Sequence, residues 1–248
     1  MAGFFDFTIK EKEEKWNPRT MFGPNMNFAT TEAYKLLRAN LMFSFSDEDQ
    51  CHVIGITSSV QNEGKSSTAC NTAYALAESG SKVLLLEADL RRPSVATKLG
   101  LARTPGLTNL LISKGDYKEA IQHNDKAPAL DIITSGDIPP NPSELLGSGR
   151  MSRLMEQLKT QYDYIVVDLP PVTVVSDAVT VSKLLDGVVM VVRSVVSDKN
   201  LLAEALRQLK LVNARILGFV YRDTESGKKY GKKYYKYYTE YGKKPVRK

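Results

Sequence analysis

The chain has 248 residues, 42% hydrophobic and 25% charged, with a net charge of +6, which suits one soluble α/β domain with a sizeable core. No run of about 18 apolar residues occurs, so no helical membrane span is expected. The start, Phe4, Phe5 and Phe7 followed by charges, does not read as a secretory signal, and Cys51 and Cys70, lacking neighbours at ligand spacing, read as buried thiols rather than a zinc site.

Residues 1–28 read as an exposed, irregular arm, broken by Pro18, Gly23 and Pro24. A helix with one apolar face starts near Thr30 and carries Leu36, Leu37, Leu41 and Phe45. Strands are expected at 51–57 and 82–87, the second a continuous apolar run of the kind buried in parallel sheets. Short helices follow around 106–112 and 116–121, then a strand at 130–134, a turn-rich loop at 135–142, and helical pieces at 143–146 and 152–160. The remaining pattern is strand 164–168, a helix from about Asp177, strand 187–193, helix 199–211 and strand 215–221. Strands alternating with helices imply a doubly wound, mostly parallel sheet, with ligands at the carboxyl ends of its strands.

The first of those ends carries the strongest motif. After the strand come Ser59, Val60, Gln61, Asn62, Glu63, Gly64, Lys65, Ser66 and Ser67, then a helix-forming run to Glu78. Strand, polar turn, Gly-Lys-Ser and helix make the context of a phosphate-binding loop of the P-loop NTPase type. Loop amides and the positive helix end would hold an anion, Lys65 would reach the β- and γ-phosphates, and the Ser66 hydroxyl would ligate Mg²⁺. The usual first glycine is replaced by Ser59, and Asn62 stands where left-handed backbone is tolerated. Two further strands end in acids, Glu87 with Asp89 and, on the other strand, Asp168. Carboxylates there can hold Mg²⁺ directly or through water, and a second one nearby could accept a proton from an attacking hydroxyl.

These motifs, with Asp168-Leu169-Pro170-Pro171, the segment Pro139-Pro140-Asn141-Pro142-Ser143-Glu144-Leu145-Leu146 and a tyrosine-rich end, make the chain resemble the bacterial tyrosine kinases of capsular and exopolysaccharide synthesis, in the form where the kinase is a separate cytoplasmic protein. The resemblance runs from about Glu32 to Lys248. It implies an ATP-dependent protein-tyrosine kinase in which Lys65 binds ATP phosphates, Ser66 and Asp89 hold Mg²⁺ and Asp168 supports the metal. It also implies that Glu87 takes the tyrosine proton, although the family usually has Asp there. Glu32, Lys35 and Arg38, at i, i+3 and i+6 on one helix face, match a charged motif that packs such kinases into a ring-like homo-oligomer, an octamer being one candidate size; the middle position is usually Arg. Arg222 stands where relatives often have Asn near the adenine. The resemblance further implies a transmembrane activator, or chain-length determinant, acting through its cytoplasmic end, a cognate tyrosine phosphatase, and recruitment to the inner face of the membrane.

The expected organisation is an arm at 1–28, a kinase domain at 29–223 and a flexible Tyr/Lys-rich tail at 224–248. The tail holds nine Lys/Arg and two Glu, a charge of +7, which leaves about −1 for everything else. Tyr230, Tyr234, Tyr235, Tyr237, Tyr238 and Tyr241 fall within twelve residues and lack aliphatic neighbours to bury. They resemble the cluster that these kinases phosphorylate on one another. Each phosphate adds about −1.5 to −2, so six reverse the sign of the tail. A Lys/Tyr-rich tail can also bind nucleic acid or anionic lipid, but the near-neutral body offers no nucleic-acid surface. The main competing function is a non-kinase ATPase switch of the partitioning or division-site type. Those proteins carry a signature Lys where this chain has Val60, and they often end in an apolar-striped helix that this tail lacks. A third reading is a nucleotide-gated binding module whose Glu87 has weakened turnover.

Overall fold

β2 (His52–Ser58) is buried along its whole length, which requires apolar neighbours on both faces. In this computed structural model, which describes residues 5–10, 23, 26–45, 50–113, 116–124, 127–194 and 196–223, helices supply those neighbours. The tail at 224–248, with its six tyrosines, lies outside the described residues.

Among the described residues, eight strands form one sheet. They are β1 (Phe5–Lys10), β2, β3 (Val83–Glu87), β4 (Gln122–Asn124), β5 (Ala127–Ile133), β6 (Tyr164–Asp168), β7 (Gly187–Arg193) and β8 (Ile216–Asp223), in the order β1-β8-β7-β2-β6-β3-β5-β4. All pairings are parallel except β4 with β5. The side-chain period of two sends Val83 and Leu85 to one face and Leu84 and Leu86 to the other. On the first face lie α1 (Phe28–Ser44) and α2 (Lys65–Glu78), through Tyr34, Leu37, Leu41, Ala69, Ala73 and Leu76. On the second lie α4 (Leu107–Ile112), α5 (Pro142–Leu146), α6 (Gly149–Lys159) and α8 (Lys199–Leu211), while α3 (Val95–Leu99) and α7 (Asp177–Val181) are single turns near the strand ends. Fully burying a side chain such as Leu85 contributes about 2 kcal/mol.

The helices begin where their caps dictate. Asn27 accepts the Thr30 amide, Ser148 that of Met151, and Asp198 those of Asn200 and Leu201, each satisfying an otherwise orphan donor. In α6, Met151, Leu154, Met155 and Leu158 then fall on one buried stripe.

The doubly wound, mostly parallel sheet agrees with the expectation, and most expected boundaries move by one to three residues. Three features differ. Within the arm expected to be irregular, β1 pairs in parallel with β8, Phe5 opposite Gly218 through Lys10 opposite Asp223. Its sequence, Phe-Asp-Phe-Thr-Ile-Lys, does alternate, but its partner lies some two hundred residues away. β4 is a three-residue antiparallel edge, too short to leave a periodic signal. The single turn α3 is fixed by a residue of another element, Glu87.

The strand order matters for function. β6 lies between β2 and β3, with Asp168 in register with Ile56 on one side and Glu87 on the other. The three expected motifs therefore converge at one sheet edge.

Candidate active site

The loop from β2 to α2 is held from beneath by Glu63. Its buried carboxylate accepts from the Val60 amide at 2.8 Å and from the hydroxyls of Ser59 and Ser197. The Ser197 hydroxyl also accepts the Arg193 amide, so the loop is tied to the end of β7. The carbonyls of Ser58 and Ser59 accept the amides of Val172 and Thr173. Asn62 and Gly64 are left-handed, at φ 65° and 93°, Asn62 as its residue type allows. Gly64 is required twice: its φ disfavours a side chain, and a Cβ there would run into the Arg222 guanidinium.

A cavity of about 380 Å³ opens above this loop. Of the nine expected loop residues, Gln61, Asn62, Gly64, Lys65, Ser66 and Ser67 line it, whereas Ser59, Val60 and Glu63 do not. Asp89 lines it and forms a 2.7 Å pair with the Lys65 ammonium, which lies 3.3 Å from the Ser66 hydroxyl. Burial pushes the Lys65 ammonium toward neutrality, but Asp168, Asp89 and Glu87 outweigh it and hold Lys65 charged beyond its ordinary range.

Asp168 is buried, and neither of its oxygens accepts a well-formed hydrogen bond. Burial pushes its carboxyl up to about 7; Lys65 opposes that rise, Glu87 adds to it, and the nearby Ser66 hydroxyl opposes it. Two orphaned carboxylate oxygens beside a hydroxyl and a second carboxylate suit a hard divalent cation, which takes one or two carboxylates and completes its shell with phosphate oxygens and water. Among the described residues no cluster of three His, Cys, Asp or Glu could hold a metal unaided.

Glu87 is not brought into the cavity. Its buried side chain accepts three backbone amides, from Ser94 at 2.5 Å, Val95 at 2.6 Å and Ser135 at 3.0 Å. Burial raises its carboxyl, and those three bonds oppose the rise.

The cavity also has cations outside the expected site residues. Arg91, Arg92 and Lys98 line it beside Lys65, against the single acid Asp89. Arg91 forks onto the Asp177 carboxylate at 2.8 and 3.1 Å and reaches the Ser143 hydroxyl at 3.0 Å. Asp177 is fully buried and also accepts the Ser143 hydroxyl. The Pro-Asn-Pro-Ser segment thus anchors the arginine that follows the second acidic motif. Arg92 crosses the cavity to Gln61 at 2.7 Å. The sequence signal for both was their position two and three residues after Asp89.

The remaining expected residues lie elsewhere. Lys35 pairs with Glu32 at 3.0 Å on α1, while Arg38 turns inward to the Ala75 carbonyl at 2.8 Å and to Glu78 at 3.8 Å. Cys51 is half-buried and Cys70 buried; burial pushes the Cys51 thiol up to about 12 and the Cys70 thiol well above its ordinary range. No helix among the described residues is long and apolar enough to cross a membrane.

A family model described as an AAA domain matches residues 52–214. The tyrosine-protein kinase YwqD of Bacillus subtilis is 39% identical over 212 residues, covering 86% of this chain and 85% of that protein. The kinase domain of the Escherichia coli tyrosine kinase ETK superposes with a TM-score of 0.74 at 31% identity, over 79% of this chain and 76% of that one. The septum site-determining protein MinD of Pyrococcus horikoshii shares the fold alone, at 23% identity and a TM-score of 0.57 over 68% of this chain and 69% of that one.

Proposed function

The chain belongs to the bacterial tyrosine-protein kinases, within the AAA-domain family matched at 52–214, and from that premise we propose that it transfers the γ-phosphoryl group of ATP to tyrosines of its own tail, in trans. Kinase identity over most of the chain favours this above the ATPase switch, whose representatives share only the fold. The observation that carries the site assignment is the convergence of Lys65, Asp89 and the orphaned Asp168 beneath one cation-rich cavity.

In this reading the loop amides from Gln61 to Ser67 and the N-terminus of α2 hold the phosphates. Lys65 exchanges Asp89 for the β- and γ-phosphates. Ser66 and Asp89 would hold Mg²⁺, with Asp168 in support; the ion would supply charge neutralisation for the transferring phosphoryl group. The tyrosine oxygen bonds to the γ-phosphorus, and the bond to the bridging oxygen breaks, so that ADP leaves with that electron pair. The transition state is loose and the proton departs late. It passes to a phosphoryl oxygen of the transferred group. Arg92, whose guanidinium reaches Gln61 rather than an acid among the described residues, spreads charge from the transferring group.

The acceptors are Tyr230, Tyr234, Tyr235, Tyr237, Tyr238 and Tyr241 of a neighbouring copy, brought near by packing through Glu32, Lys35 and Arg38 into a ring. A transmembrane activator holds the ring at the inner face of the membrane through its cytoplasmic end, a phosphatase resets it, and the cycle regulates capsular or exopolysaccharide synthesis.

The test is the intact mass of the purified chain before and after Mg-ATP, with and without an activator's cytoplasmic peptide, beside Lys65→Met. Phosphate increments that map to the six tail tyrosines and are absent from Lys65→Met are expected. Hydrolysis of ATP without any increment would replace this reading with the ATPase switch.

A further inference from the structure

Glu87 stands where the resemblance places the proton acceptor, yet it does not line the cavity. It is fully buried, and both oxygens are occupied by amide donors from two other segments. One oxygen takes the first two amides of the α3 region, Ser94 and Val95; the other takes Ser135, just beyond β5. The effect is to close a loop. Residues 88–93 leave β3 and return at α3, and Glu87 ties the two ends together. Everything that this loop gives the cavity, Asp89, Arg91 and Arg92, lies between the tied ends, and Lys98 follows on α3 itself. Inside the loop Asp89 accepts the Arg92 amide at 3.0 Å, and Arg91 is pinned to Asp177. The phosphate-facing loop is therefore fixed at its two ends by one glutamate and in its middle by two further contacts.

We propose that Glu87 is a positioning residue, a clasp that holds the Asp89–Arg92 loop toward the nucleotide, and not the acceptor of the tyrosine proton. The extra methylene relative to aspartate is then what the clasp needs. An aspartate would stop about 1.5 Å short, one C–C bond, of amides now at 2.5 and 2.6 Å. The inference rests on the kinase reading only for its activity readout.

The experiment compares wild type, Glu87→Gln and Glu87→Asp in two assays: nucleotide affinity by titration with Mg-ADP, and initial rate of tail phosphorylation at saturating Mg-ATP. Glutamine keeps the length and one oxygen for Ser94 and Val95, and loses only the bond to Ser135. Its rate is expected to fall less than about tenfold, far from the 10²–10⁴-fold of a lost general base, with affinity changed less than about threefold. Aspartate keeps the charge and loses the reach. Its Mg-ADP affinity is expected to weaken more than about tenfold, a change of about one effective amide contact, so its defect appears in KM before kcat. A proton acceptor predicts the reverse order: glutamine inactive at unchanged affinity, aspartate as active as wild type or more so. That result overturns the proposal.

Amide hydrogen exchange on wild type and Glu87→Gln decides the matter if Glu87→Asp does not fold. Protection of the Ser94, Val95 and Ser135 amides in wild type, with Ser135 alone released by glutamine, supports the clasp; three unprotected amides in wild type sink it. If no tail phosphate forms on wild type, the kinase reading fails, while the affinity and exchange measurements still judge the clasp.

Discussion

Asp168→Asn should stabilise the nucleotide-free protein, by an amount that grows with pH. The native carboxyl is raised from 3.8 to about 7, chiefly by burial. Between those values the folded chain keeps a proton that the unfolded chain has released, so native stability falls as pH rises through the window. A shift of about three units corresponds to about 4 kcal/mol, lost by the time pH passes 7. Asparagine removes the buried charge and with it the loss. It also deprives Lys65 of its strongest opposite charge, so about half of the gain should survive. For a chain of this size, at about 2–4 °C per kcal/mol, the melting temperature should rise by about 4–8 °C at pH 7.5 and by less than about 1 °C at pH 4. Thermal melts of both proteins from pH 4 to 8, without nucleotide or divalent cation, make the measurement. Mg-ATP should then reverse the order, stabilising wild type more than the variant. A difference in melting temperature that does not change with pH, or a variant less stable at pH 7.5, would refute the picture of Asp168 as an uncompensated buried acid.

Arg91→Ala strips the arginine from the fully buried Asp177 and should destabilise the fold by about 2–3 kcal/mol in urea unfolding, less than a wholly buried pair because the Arg91 side chain is 39% exposed. Arg92→Ala breaks an exposed contact to Gln61, so stability should stay within about 0.5 kcal/mol while kcat for tail phosphorylation falls more than about tenfold; an unchanged kcat would remove Arg92 from the chemistry. Gly64→Ala meets both a φ of 93° and the Arg222 guanidinium; it should lose about 1–3 kcal/mol of stability, and adding Arg222→Ala should relieve the collision without restoring nucleotide affinity, as titration with Mg-ADP would reveal.

Much of the fold was legible because the signal was local. The apolar runs of β2, β3, β6 and β7 are each bounded by turn residues. What was not legible was non-local. β1 depends on a partner at the far end of the chain. α3 depends on the side chain of Glu87, seven and eight residues before the amides it accepts. The position of Asp168 could be read from its strand, but its orphaned oxygens could not, since those depend on β2 and β3 flanking β6. The same limit explains Glu63, which reads as part of the phosphate loop and instead holds that loop from below.

The pairing of charges in the cavity explains why nucleotide and divalent cation should bind together. Lys65 and Asp89 now satisfy each other at 2.7 Å, and Asp168 has Lys65 as its main favourable charge. A triphosphate arriving without a cation would draw Lys65 away and leave two acids facing an anion. A cation arriving alone would take the acids and leave Lys65 buried among cations, with Arg92 and Lys98 nearby. Either half-reaction strands charge in a site where stranded charge is expensive. Arriving together, the polyanion takes Lys65 and the arginine side while the cation takes the acids, and each buried group exchanges one partner for another. Mg-ATP should therefore bind more tightly than the product of the separate affinities allows. A calorimetric titration in which ATP affinity does not depend on Mg²⁺ would show that the acids and Lys65 are not exchanging partners at all.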